Sequence, residues 1–365
     1  MKFIHDIFDS VRPLFTDKGK LGKLEPLFEA TENFFFSTGT RTTVGPHIRN
    51  SLDIKRYMSM VILALIPCVL AGFYFYGWRI IPVILTSYIV GGIVEVIVAC
   101  LRKEEINEGF LVTGLLFPLV MPPSTPLWVV AIGVAFGVFF GKELFGGTGR
   151  NLFNPAITGR CFVGLAYPTH MAGWVEPGNT IFGRVLDFWP FSMVWGASTP
   201  EAVTAATPLV AVTQGQQVSY MDLFFGNVTG CIGETSVLAI ILGAIFLIAF
   251  KIANWRTTVS TLVSFFVLAA FMHQLNPVKF QPALFHLLTG GIMFGAVFMV
   301  TDPVTCPSTN IGKYIYGILI GCITVLIRNL GGYAEGMMFA ILLGNIAAPI
   351  IDCAVMSFYV RRLGG

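Results

Sequence analysis

The sequence predicts an all-α polytopic membrane protein: ten transmembrane helices arranged as two inverted five-helix repeats, preceded by a cytoplasmic amphipathic segment. The first of three observations is composition. Of 365 residues, 55% are hydrophobic and 12% charged, about half the charged share of an ordinary soluble domain. A mean hydropathy of +0.76 is more apolar side chain than one soluble core hides, so lipid must solvate much of it. The others are ten apolar runs and a one-sided distribution of basic residues. The formal charge of +3 is too small over this length to suggest a nucleic-acid partner.

Residues 1–56 form no span. Asp6, Asp9, Arg12, Asp17, Lys18 and Lys20 interrupt the first twenty residues, so no cleavable signal peptide is expected. Phe3, Ile4, Ile7, Phe8 and Val11 share one face of a possible helix, and Leu24, Leu27 and Phe28 suggest a second. Such a segment lies on the membrane surface. The first repeat, 57–167, holds runs near 57–76, 80–101, 106–121, 127–145 and 152–167. A loop at 168–230, rich in aromatic and small residues, separates it from the second repeat, 231–365. There the runs lie near 236–250, 256–273, 284–300, 314–328 and 336–356. Arg, Pro and Gly clusters bound them, and the third, fifth and ninth are short.

With the N-terminus in the cytoplasm, only Arg79, Arg184, Lys279 and Arg328 fall outside and Arg160 within a span; the other 18 of 23 basic residues face the cytoplasm. The positive-inside rule therefore sets both termini in the cytoplasm and the 168–230 loop outside. The halves share short motifs. Leu-Val-Thr-Gly at 111–114 recurs as Leu-Leu-Thr-Gly at 287–290, Pro-Ser-Thr at 123–125 recurs at 307–309, and Gly-Gly at 146–147 recurs at 331–332. Five spans per copy invert the second, the architecture that sets ion sites near the membrane middle.

Gly133, Gly137 and Gly141 lie four apart on one helix face, the spacing of close helix packing. Lys142 follows, but no Ser or Thr comes after it, which excludes a Walker A loop. Phe145-Gly-Gly-Thr-Gly-Arg-Asn151 follows a membrane helix rather than a strand, so it is no dinucleotide fingerprint. It reads as a tight interhelical turn, and its glycines also let backbone approach a flat ligand. The seven cysteines are scattered with no C-x-x-C pair, so a transition-metal site within this chain is not expected. Glu95, Glu143, Arg160, Glu234, Asp302 and Asp352 lie in or beside the runs, where ionisable groups are expensive and are functional candidates. The alternative is a structural ion pair, for instance with Arg160 or Arg328. Asp302 precedes Pro303 and lies between Thr301 and Thr305, so carboxylate, hydroxyl and freed carbonyl oxygens can ligate Na⁺. In Glu201-Ala-Val-Thr-Ala-Ala-Thr-Pro208 small residues precede Thr207, but composition alone makes this an ordinary turn.

Five segments resemble the B-type membrane component of bacterial sodium-translocating NADH:quinone oxidoreductases: His47-Ile-Arg-Asn-Ser-Leu-Asp-Ile-Lys-Arg56, Ile106-Asn-Glu-Gly-Phe-Leu-Val-Thr-Gly114, Gly141-Lys-Glu-Leu-Phe-Gly-Gly-Thr-Gly-Arg-Asn151, Thr301-Asp-Pro-Val304 and Glu335-Gly-Met-Met338. The resemblance implies ten spans in a bacterial inner membrane, within a six-subunit assembly whose NADH oxidation occurs elsewhere. It implies FMN esterified by a flavin transferase to Thr207, a non-covalent riboflavin, quinone reduction and outward Na⁺ transport. The usual acceptor, Asp-x-x-Ser-Gly-Ala-Thr, is here Glu201, Thr204, Ala205, Ala206 and Thr207, with Thr204 a fallback hydroxyl. The family's quinone glycines correspond to Gly146 and Gly147, and its sodium-path acids to Glu29, Glu143, Asp302 and Asp352. The related D-type component of Rnf ferredoxin:NAD oxidoreductases, which typically lacks the N-terminal extension, and a non-redox secondary transporter are the competing readings.

Overall fold

The computed structural model describes residues 54–102, 109–175, 207–213, 218–277, 279–331 and 335–363, with isolated positions at 11–13, 15, 28 and 177. Among the described residues all regular structure is helical. Five stretches are long and apolar enough to cross a membrane: Arg56–Arg102, Leu127–Phe145, Trp255–Leu275, Asn310–Leu330 and Met337–Arg362. The first is two helices, α1 (Ile54–Tyr76) and α2 (Ile80–Arg102), joined by one 3₁₀ turn. The first half continues with α3 (Gly109–Leu119), α4 (Leu127–Gly141) and α5 (Pro155–Ala166). The second contains α6 (Val237–Ala249), α7 (Trp255–Leu275), α8 (Ala283–Leu288), α9 (Asn310–Leu330) and α10 (Met337–Leu363).

Local chemistry explains the starts. Asn154 accepts hydrogen bonds from the Ala156 and Ile157 amides, and Pro155 fills the first position of α5, where no amide is needed. Ser236, Asn254 and Thr309 cap α6, α7 and α9 in the same way. Outward side chains of these helices are apolar: Leu70, Ile89, Ile245 and Ile350 are each more than half exposed. A polytopic membrane protein follows, because such a surface is stable only in lipid.

The structure corrects the expected run lengths. The ninth, expected short at 314–328, is a 21-residue helix. The polar residues Asn310 and Lys313 lower the hydropathy of its first turn, yet the Thr309 hydroxyl accepts from the Gly312 amide and holds that turn helical. The sixth, α6, has only 13 residues. The eighth is broken. After α8 the chain passes through Gly290 at φ +65°, a conformation that favours glycine, and resumes as Ile292–Phe294 and a π turn, Gly295–Met299. Leu-Leu-Thr-Gly therefore ends a helix at 287–290, whereas Leu-Val-Thr-Gly at 111–114 lies inside α3. The Pro-Ser-Thr copies do agree in position, since each immediately precedes a half's fourth helix, α4 or α9.

Packing repeats as well. In each half the second helix packs on the fourth and the fourth on the fifth, while α1 and α6 join the halves. The glycine stripe of α4 meets α5: a Cβ on Gly137 would collide with the Pro155 carbonyl, and one on Gly141 would stand 2.9 Å from Pro155 Cα. Gly317 and Gly321 of α9 do the same against α7, where a Cβ would come within 2.9 Å of the Thr257 carbonyl and the Phe265 nitrogen respectively. In lipid such contacts replace the hydrophobic effect as the source of helix association. Of the N-terminal segment, Phe15 and Phe28 stack with centroids 5.0 Å apart; Glu29 lies outside the described residues.

Candidate functional sites at opposite ends of the bundle

Two clefts lie at opposite ends of the same helices. One is bounded by Tyr57 at the start of α1, Gly109 at the start of α3, Lys142 after α4, Pro155 at the start of α5 and Ile252 after α6. The other is bounded by Glu234 and Thr235 just before α6, together with Gly230, whose carbonyl accepts from Tyr76 Oη at the end of α1. At 1.5 Å per residue the 23 residues of α1 separate these ends by about 34 Å, a bilayer thickness.

The first cleft, about 700 Å³, also contains Thr148, Asn151, Thr301, Asp302 and Pro303. Asp302 accepts hydrogen bonds from the Val304 amide at 3.2 Å and the Thr305 hydroxyl at 3.0 Å. Thr301 donates to the Val297 carbonyl at 2.6 Å. The arginine partners considered for Asp302 are engaged elsewhere: Arg160 Nη2 lies 3.2 Å from Glu335 Oε2, and Arg328 Nη1 donates to the His286 carbonyl. Asp352, on α10, accepts from the amides and hydroxyls of Ser308 and Thr309 at 2.6–3.1 Å. Four donors stabilise that carboxylate without a cation.

Gly146 and Gly147 stand at this end, at φ +111° and +83°. The turn itself demands glycine there, whether or not a ligand approaches. A Cβ on Gly147 would lie 3.8 Å from Glu143 Oε2. Glu143 and Lys142 are buried, and Lys142 Nζ pairs with Glu95 Oε1 at 2.7 Å.

At the other end Thr207 lies in a cleft of about 560 Å³ with Trp174, Leu209, Thr229, Glu234, Thr235, Thr289, Gly290 and Glu335. The Thr207 carbonyl starts the short helix Pro208–Thr213 by accepting from the Val210 and Ala211 amides. Thr207 Oγ1, Thr235 Oγ1 and Glu234 Oε2 are all buried without a hydrogen-bond partner among the described residues. Orphaned polar atoms carry a penalty of about 1–3 kcal/mol each, and these three line one cleft. Beneath it Cys231, Glu234 and Glu335 bring their ligating atoms within 4.8 Å of one another. Burial, and then the neighbouring Glu335 carboxylate, push the Glu234 carboxyl well above the ordinary carboxylate range. The Thr204 fallback and Glu201 lie outside the described residues.

Long-range pairings escaped the sequence. Arg160 and Glu335 are 175 positions apart, and Lys142 and Glu95 share no periodicity. The Gly317/Gly321 spacing was visible, as the same four-residue signal carried by Gly133, Gly137 and Gly141.

The NQR2, RnfD, RnfE family model matches residues 41–359. The chain belongs to that family. Its relatives include the proteins named as the B component of Na(+)-translocating NADH-quinone reductase from Klebsiella pneumoniae, 35% identical, and from Pseudomonas paraeruginosa, 36% identical, each match covering 98% of both chains. The matched residues contain both clefts, so the family's defining region includes Thr207, the Gly146–Gly147 turn and Asp302.

Proposed function

We propose that this chain is the B-type membrane component of a sodium-translocating NADH:quinone reductase complex of a bacterial inner membrane. Its ten spans form two inverted repeats with both termini cytoplasmic, and it assembles with other subunits that oxidise NADH. The observation that carries this reading is the end-to-end likeness to relatives of that name, at 35–36% identity over 98% of each chain. The repeat is supported by the matching packing order of the two halves and by the Pro-Ser-Thr copies before α4 and α9.

Thr207 carries FMN as a phosphoester formed by a flavin transferase, and a non-covalent riboflavin belongs to the same relay. The residues fit such a group: the unpartnered Thr207 hydroxyl is the ester oxygen, and Glu234 and Thr235 offer a buried acceptor and donor beside it. A bound flavin supplies one-electron transfer; the chain's part is to orient it and keep water away. At the opposite end quinone meets the Gly146–Gly147 turn, and Na⁺ passes Glu29, Glu143, Asp302 and Asp352. Denaturing electrophoresis with in-gel flavin fluorescence is the direct test. A fluorescent band at the mass of this chain is expected; a dark band after expression with the transferase overturns the redox reading and favours a plain transporter. Na⁺-stimulated quinone reduction by the assembled complex tests the ion, and its absence favours a D-type Rnf component.

The quinone assignment has its own test. Because Gly147 sits at positive φ, valine there strains the turn as well as crowding a ring. Asparagine tolerates that conformation far better. Gly147→Asn should keep flavin content and raise KM for quinone by about threefold. An unchanged KM would leave these glycines serving the turn alone.

A further inference from the structure

Arg328 lies in the last turn of α9. It is one of the four basic residues that the charge distribution assigns to the outer side. Its Nη1 donates to the His286 carbonyl at 2.7 Å, and its Cζ stands 5.4 Å from the centroid of the Phe265 ring. These two contacts fix the guanidinium in place. Nε and Nη2, however, are buried with no hydrogen-bond partner among the described residues, and no carboxylate among those residues forms an ion pair with Arg328. The end of a helix favours a cation, which accounts for the charge but not for the unsatisfied N–H groups.

Gly290 connects this unused edge to the Thr207 cleft. A Cβ on Gly290 would stand 2.8 Å from Arg328 Nη2 and 3.4 Å from Leu209 Cδ1, and Gly290, Leu209 and Thr207 all line that cleft. The missing side chain at Gly290 is therefore what leaves Nη2 at the cleft wall. Nε and Nη2 form the side-on fork of a guanidinium, the edge that matches two oxygens of a phosphate group. A phosphodiester is an anion that only accepts hydrogen bonds, so a site shielded from water must supply both donors and a counter-charge.

Resting on the flavin attachment proposed above, we infer that Arg328 holds the phosphate of the FMN esterified to Thr207, donating from Nε and Nη2 past Gly290. Arg328 is a positioning residue in this role; it makes and breaks no covalent bond.

The test uses the assembled complex carrying Thr207→Ala, in which this cleft cannot be esterified. Equilibrium dialysis with radiolabelled FMN or riboflavin measures the flavin bound above the native occupancy, and the two probes differ only in the phosphate. With Arg328 in place FMN should bind about tenfold more tightly than riboflavin. Arg328→Gln should abolish that preference, and Arg328→Lys, which keeps the charge without the fork, should retain part of it. A purely structural Arg328 would weaken both probes equally. A preference that survives Arg328→Gln, or none with Arg328 in place, overturns the proposal. Should Arg328→Gln fail to assemble, Gly290→Asn decides, because asparagine tolerates the backbone at φ +65° while its Cβ crowds Nη2. The preference should fall there too, and an unchanged one overturns the proposal. Flavin absent from the unsubstituted chain, or attached elsewhere than Thr207, defeats the attachment reading instead, whereas a Thr207 adduct without the phosphate preference defeats only the role of Arg328.

Discussion

On the proposed attachment, replacing Thr207 by alanine should abolish covalent flavin on this chain. In-gel fluorescence should fall to background, and peptide mapping of the unsubstituted chain should find one FMN adduct within residues 201–209, absent from the variant. The hydroxyl is the reason: Thr207 Oγ1 is buried and unpartnered among the described residues, beside the orphaned Glu234 and Thr235 oxygens. Alanine deletes the hydroxyl and leaves the helix start intact, because the Thr207 carbonyl, not its side chain, receives the Val210 and Ala211 amides. The variant should therefore assemble, and NADH oxidation by the partner subunits with an artificial acceptor should persist while quinone reduction is lost. Thr207→Ser keeps a hydroxyl and should retain part of the flavin. An adduct that survives in Thr207→Ala moves the attachment to Thr204.

The second large effect is expected of Asp302→Asn, which should raise half-saturating Na⁺ roughly tenfold, equivalent to about 1.4 kcal/mol. Asparagine keeps Oδ1 for the Val304 amide, and its NH2 takes the place of the Oδ2 that accepts from the Thr305 hydroxyl, which can turn to accept instead, so the turn is kept while the charge is lost. Asp302→Glu preserves charge at the expense of that turn and should be milder. Were Asp302 a structural ion-pair partner, the Asn variant would assemble poorly and lose flavin at every Na⁺ concentration. The engagement of Arg160 with Glu335 and of Arg328 with the His286 carbonyl argues against that role. An unchanged half-saturation value in assembled, flavin-complete protein takes Asp302 out of the ion path.

Much of this protein was legible in one dimension because the bilayer is a severe solvent. Every spanning segment must close its own backbone hydrogen bonds, so apolar runs and their caps translate directly into helices. Asn154-Pro155, Ser236, Asn254 and Thr309 mark helix starts, and α1, α2 and α7 follow their apolar runs within a few residues. The glycine spacing of α4 announced close packing, which α5 supplies. The eighth run was harder to read: it is apolar on both sides of the break, and the one local difference from Thr-Gly at 113–114, where the helix continues into Leu115, is that a second glycine, Gly291, follows Thr-Gly at 289–290, where the helix stops. The Arg328 guanidinium near Gly290, where a Cβ would stand 2.8 Å from Nη2, is a tertiary contact.

The sequence by itself determined the membrane class, the positions of most helices, the orientation argument from Lys and Arg, and the family. Each depends on composition or on neighbours within a few residues. Tertiary structure alone decided which charges share a site. Lys142 meets Glu95 from 47 positions away, Arg160 meets Glu335 from 175, and Thr207, Glu234 and Glu335 line one cleft although they are far apart in sequence. Buried charges seek partners through space, since in low dielectric an unpaired one costs several kcal/mol, and that search leaves no periodic trace along the chain.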